Sequence, residues 1–133
     1  MLDKYIVDYA FRRLEKSASD LESAEILYKA GKFDSAANRA YYSVFHAIRA
    51  VLALDGVERK KHSGSISYFR QHYISTNVFD SFYSETIKKA EALRNEADYD
   101  DEREISAENV LDVLEKARGF HNATKEYISN RTK

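Results

Sequence analysis

Apolar residues recur in alternating steps of three and four along most of the 133-residue chain. Ala10, Leu14, Ser17, Leu21, Ala24 and Tyr28 draw one such stripe and predict a first helix from about Asp3 to Lys29. Gly31 stands where a left-handed C-terminal cap belongs, and Asp34 or Ser35 is placed to cap a second helix that ends before Gly56. After the basic loop "GVERKKH", Ser63 can cap a short third helix carrying Ile66, Phe69 and Tyr73, with "STN" as the turn that follows. A fourth helix is expected from about Phe79 to Ala97, with Phe82, Tyr83, Ile87, Ala90, Leu93 and Ala97 inward. The acidic stretch "DYDDERE" then leads to Ser106, which can cap a fifth helix with the stripe Val110, Val113, Leu114, Ala117, His121, Thr124 and Ile128. No stretch carries a strand–turn–strand signal. Long helices with short connections predict an all-α, up-and-down bundle of about five helices, in one domain over residues 1–133.

The second helix departs from the others. Its stretch "AANRAYYSVFHAIRAVLAL", residues 36 to 54, has no Asp, Glu or Lys, although 32% of the chain is charged. On a wheel of about 100° per residue, Ala37, Tyr41, Val44, Ile48, Val51 and Leu52 form a core face. Arg39, Tyr42, Ser43, His46, Arg49 and Ala50 form the opposite face, with Phe45 near the boundary. Arginine and tyrosine are enriched at interface hot spots, guanidinium binds phosphate or carboxylate bidentately, and imidazole exchanges a proton near neutral pH. This face therefore reads in two ways: as a surface packed on a neighbour with its polar tips satisfied, or as a site.

Composition narrows the chemistry. The chain has no cysteine, so disulfides, thiolate nucleophiles and cysteine–zinc sites are excluded. No proline and only four glycines agree with an all-helical chain. A net charge of −1 gives no overall basic footprint for nucleic acid, which leaves only local patches. The apolar runs are too short to span a bilayer and the N-terminal stretch does not resemble a signal peptide, so a cytoplasmic protein is expected.

Two other segments carry candidate chemistry. "KKHSG" places Lys60, Lys61 and His62 just before a helix start, where backbone N–H groups attract anions, although a solvated basic loop with a serine cap is the simpler explanation. "LRNEADYDD" sets Arg94 and Asp98 four residues apart, as a helix-end ion pair or as a phosphate ligand poised by a carboxylate beside Tyr99. No histidine pair has the spacing of a helical metal site, and no glycine-rich phosphate loop exists, so neither a metal nor a cofactor is expected.

Taken in order, "AANRAYYSVFHAIRAVL", "KKHSGSISYF" and "LRNEADYD" resemble the HEPN superfamily (higher eukaryotes and prokaryotes nucleotide-binding), in its small stand-alone prokaryotic branch. The resemblance covers nearly the whole chain. It implies a helical bundle that dimerises, and a minimal nucleotidyltransferase partner in a toxin–antitoxin-type pair. Many members are metal-independent ribonucleases with an Arg, four to six residues, then a His, usually with a polar residue after the Arg. Arg94 and Asn95 match the start of that motif, but its histidine window holds Tyr99, Asp100 and Asp101. The motif's spacing also occurs between Arg39 and His46, inside the second helix, where a rise of about 10 Å would keep the two from one atom.

The expectation is thus a homodimer that binds RNA or nucleotide phosphate, a partner nucleotidyltransferase, or both. Arg39, Tyr42, His46, Lys61, His62, Arg94, Asn95, Asp98 and Tyr99 are its candidate ligands. The alternative is an endoribonuclease with Arg39 and His46 catalytic, or with His62 in place of the absent histidine.

Overall fold

The computed structural model describes residues 2–99 and 105–133. Five α-helices follow in order: α1 (Lys4–Lys29), α2 (Phe33–Leu54), α3 (His62–Phe69), α4 (Phe82–Tyr99) and α5 (Ala107–Arg131). A π-helical turn, Arg70–Ile74, extends α3. No strand occurs among the described residues.

The caps explain the boundaries. Asp3 accepts from the Tyr5 N–H at the start of α1, and Ser106 accepts from the Asn109 N–H at the start of α5. The first two helices end in the same way: Gly31 (φ 76°) and Gly56 (φ 68°) take the left-handed position. The following N–H groups then reach back, Lys32 to Leu27 at 2.9 Å and Val57 to Leu52 at 3.0 Å. Three expected starts shift. The N-cap of α2 is Lys32, without a side-chain bond, and Asp34 sits in the first turn, where its charge suits the helix dipole. Helix α3 begins at His62, one residue before the expected cap Ser63. Helix α4 begins at Phe82, because the Asp80 carboxylate takes the Phe82 N–H at 2.8 Å. Phe79 thus precedes the helix and is buried, whereas Phe82 is 53% exposed rather than inward.

Helix α2 is the axis of the bundle and packs on α1, α3, α4 and α5. Residue numbers fall along one helix of the α1–α2 pair as they rise along the other: Ser17 meets Ser43 and Asp20 meets Arg39, so the pair is antiparallel. The buried stripes of α1 and α5 follow the expected spacing, through Ala10, Leu14, Ser17 and Ala24 and through Val110 to Ile128. The expected core face of α2 is buried from Ala37 to Leu52, and on the opposite face the packed reading holds at two positions. Ser43 and Ala50 lie on the supposed polar face and are fully buried, because α1 covers it.

The two serines of that seam are satisfied in place. Ser17 Oγ donates to the Ser43 carbonyl and lies 2.8 Å from His121 Nδ1, while Ser43 Oγ donates to the Ser17 carbonyl at 2.9 Å. This network ties α1, α2 and α5 together, and leaving one such buried group unpartnered costs about 1–3 kcal/mol. Burial, with Lys125 nearby, pushes the His121 imidazole below its ordinary pKa, so it packs as a neutral ring.

Candidate functional site

Three successive aromatic positions of α2 organise the site. Tyr41, Tyr42 and Phe45 stand together with the His62 ring from the start of α3. His62 stacks on Phe45 with ring centroids 3.8 Å apart and shares a 3.1 Å hydrogen bond with the Tyr41 hydroxyl. The basic residue expected at the rim of a loop is therefore part of the aromatic cluster. Burial, then the nearby guanidiniums of Arg94 and Arg49, holds its imidazole below the usual pKa.

One guanidinium covers each aromatic ring. Arg94 lies over Tyr41 at 4.2 Å, Arg39 over Tyr42 at 4.9 Å and Arg49 over Phe45 at 5.0 Å, measured to the ring centroids. Such cation–π contacts hold a guanidinium in place while leaving donors free. Arg39 from α2 and Arg94 from α4 are thus brought onto adjacent tyrosines whose centroids are 5.3 Å apart. Asp98 links them further: it pairs with Arg94 at 3.9 Å and lines the same cleft as Arg39, with Leu27, Asp34, Ser35 and Asn38. The Arg94 Nε is buried without a hydrogen-bond partner, since 3.9 Å is beyond hydrogen-bond reach.

Asp20 is the residue that the spacing along α2 did not reveal. Its carboxylate, from α1, binds Arg39 Nη1 at 3.1 Å through one oxygen. It stands 3.7 Å from His46 Nε2 through the other. The seven-residue offset that would separate Arg39 from His46 is thus spanned by one anion. Burial raises the Asp20 pKa, with Arg39 and Lys16 acting against it. Burial first, then the charges of Arg13, Lys16, Arg49 and His62, pushes His46 down to about 4. The His46 ring is neutral at pH 7, and its Nδ1 is buried without a partner.

The remaining candidates stand further out. Lys61 is the exposed N-cap residue of α3, and Asn95 is exposed on α4. Tyr99 is 80% exposed and closes α4, which runs two residues beyond the expected end at Ala97. Asp100 and Asp101 lie outside the described residues. His72 stacks on Tyr68, away from this cluster. Among the described residues, no helix is long and apolar enough to cross a membrane, and no three acidic or imidazole groups stand close enough to hold a metal.

Residues 10–127 match the HEPN domain. Over 118 residues the chain is 37% identical to a Methanocaldococcus jannaschii protein named "Putative toxin MJ0142", covering 89% of this chain and 80% of that one. It is 31% identical over 113 residues to "Putative toxin MJ0605" of the same organism, 84% of each chain. A Thermotoga maritima protein named "UPF0332 protein" is 30% identical over 125 residues, 94% of this chain and 92% of that one.

Proposed function

The chain belongs to the HEPN domain family, and from that premise we propose that it is the toxin-like half of a two-component pair and binds RNA or nucleotide phosphate on its α2–α4 face. The observation that carries this reading is the seating of Arg39 and Arg94, from two helices, on adjacent tyrosines. Guanidiniums supply the phosphate contacts, and the exposed parts of the tyrosine and histidine rings offer π-faces to a base. Tyr42, His46 and His62 form the wall, Lys61 the rim, and Asn95, Asp98 and Tyr99 the far end. The names of the Methanocaldococcus jannaschii relatives support the toxin-like role. Family membership supports a homodimer and a minimal nucleotidyltransferase as the second component. Fluorescence anisotropy with labelled RNA in metal-free buffer tests the binding. Arg39→Ala and Arg94→Ala should each weaken it and reduce the salt slope by about one. Parental affinity in both variants overturns the reading.

A second reading, a metal-independent endoribonuclease, is favoured by one observation. Arg94 and His62 both reach Tyr41, so an arginine and a neutral imidazole meet although the motif's own histidine is absent. The imidazole would move a proton at the ribose 2′-OH, and the arginine would stabilise the charged phosphate. Cleavage of labelled RNA that disappears in His62→Ala, with the fold intact by circular dichroism, supports it. His46→Ala tests the other histidine in the same way. Equal background from parent and both variants excludes it.

A further inference from the structure

A second group of arginines lines a groove formed by α1, α2 and the chain that leads from Gly56 into α3. Arg13, Arg49 and Arg59 line it, together with Tyr5, Ile6, Tyr9, Leu52, Ala53, Val57, Glu58 and Ser65. Its volume is about 330 Å³, the size of a small-molecule site, and its walls are mainly apolar.

Two independent features bear on what this groove could hold. Arg39, Arg70, Arg94, Arg118 and Arg131 are each paired with a carboxylate. Among the described residues, Arg13, Arg49 and Arg59 have no such pairing. They are held instead by neutral partners: Arg13 donates to the Tyr9 hydroxyl, Arg49 donates to the Arg59 carbonyl and Arg59 lies over Tyr68. Each guanidinium is thus positioned without a compensating carboxylate. The second feature is Ser65, which is fully buried, lines the groove and leaves its Oγ without a hydrogen-bond partner. A buried hydroxyl without a partner is uncommon and marks a place where a ligand atom would complete the bonding.

We propose that this groove is a binding site for a ring-bearing phosphate monoester. Three guanidiniums against the single carboxylate of Glu58 leave a surplus of two positive charges, which a dianionic phosphate balances. The ring lies against Ile6, Leu52, Ala53 and Val57, with Tyr9 at its edge, and its polar atom meets Ser65 Oγ. None of the residues that carry this site is a candidate ligand of the α2–α4 face, so the two readings stand or fall separately.

Titration of the full chain with phenyl phosphate, followed by ¹H–¹⁵N NMR and calorimetry, tests the proposal. Shifts are expected over residues 5–13 and 52–65, with affinity at least about tenfold above that for inorganic phosphate or phenol alone. The double variant Arg13→Gln/Arg59→Gln should lose at least about tenfold in affinity while keeping the parental thermal melt. Ser65→Ala, which leaves every arginine in place, should weaken a ligand with a polar ring atom more than phenyl phosphate. Adenosine 5′-monophosphate supplies that arm: tighter binding than phenyl phosphate names a nucleotide as the source, and weaker binding names a simpler aryl phosphate. Phenyl phosphate that binds no better than inorganic phosphate, or binds the double variant as well as the parent, overturns the proposal. Shifts centred on Arg94 do the same.

Discussion

The two arginine clusters share a wall and differ in what faces their charges. On the α2–α4 face, Arg39 is met by Asp20 and Arg94 by Asp98. In the α1–α2 groove, Arg13 and Arg49 are met by a phenol and a carbonyl. A phosphate arriving at the first cluster must compete with a carboxylate already in place, whereas one arriving at the second finds full charge beside apolar walls. Internal carboxylates of this kind lower affinity, but they hold the guanidiniums in the geometry an anion requires. The first cluster therefore suits a long polyanion that makes many contacts, and the second a small ligand that must bind through one head group.

Phe45 joins the two regions, because His62 stacks on it and Arg49 lies over it. It is 1% exposed and among the largest fully buried side chains. Phe45→Ala should cost about 3–5 kcal/mol, through lost transfer energy and the cavity left behind. The urea midpoint should fall at unchanged slope, and both ligand-binding activities should be lost together. A variant that loses one activity and keeps the other would show that the clusters are built independently.

Acid should act through the partly buried histidines. The unfolded His46 binds a proton near pH 6.5, whereas the folded one binds it only near 4. Between those values the unfolded state holds more protons, so stability is highest above pH 6.5 and falls as the pH drops. His46 alone accounts for up to about 3 kcal/mol of that loss. His62 and His121, whose pKa values are also depressed, act with the same sign. Asp20 acts with the opposite sign, since its raised pKa makes the folded state the better proton acceptor as pH falls. Urea denaturation at pH 7.5 and pH 4.5 measures the sum, and His46→Gln should flatten the profile. An unchanged profile in that variant would show that His46 is solvated like an ordinary histidine.

Much of the bundle was legible because periodicity reports which face of a helix is buried. The stripes of α1 and α5 follow their spacing directly, down to the polar positions Ser17, His121 and Thr124. Periodicity is less decisive for α2, where four neighbours bury Ser43 and Ala50 on the polar side but leave Arg39, Tyr42, His46 and Arg49 partly accessible. The signal was present in composition: a stretch without Asp, Glu or Lys is what a central helix requires. The start of α4 was misplaced because Phe79 and Phe82 share a residue type, while the deciding atom is the Asp80 carboxylate between them. Within the candidate site, Arg39 and Arg94 were expected to share a cleft from separate segments of sequence, and they lie over the neighbouring rings of Tyr42 and Tyr41. Asp20 was not expected, because its link to Arg39 and His46 exists only once α1 lies antiparallel on α2. Nor did one helix's pattern disclose the groove arginines, whose lack of carboxylate partners is a property of the folded surroundings.

The gentlest test removes one internal carboxylate. Asp98 is about one-third exposed and pairs with Arg94 at 3.9 Å, so the ion pair contributes little to stability, about 0.3–0.5 kcal/mol. Asp98→Asn should therefore leave the melting temperature almost unchanged. It frees the Arg94 guanidinium, which stays over Tyr41. RNA affinity should then rise by about two- to fivefold at low salt, an advantage that shrinks as ionic strength increases. Binding of phenyl phosphate in the groove, whose arginines face no comparable carboxylate, should not respond to the same substitution. If Asp98→Asn weakens RNA binding instead, the carboxylate acts as the group that orients Arg94, and a carboxylate-held guanidinium becomes the more productive anion ligand of the two.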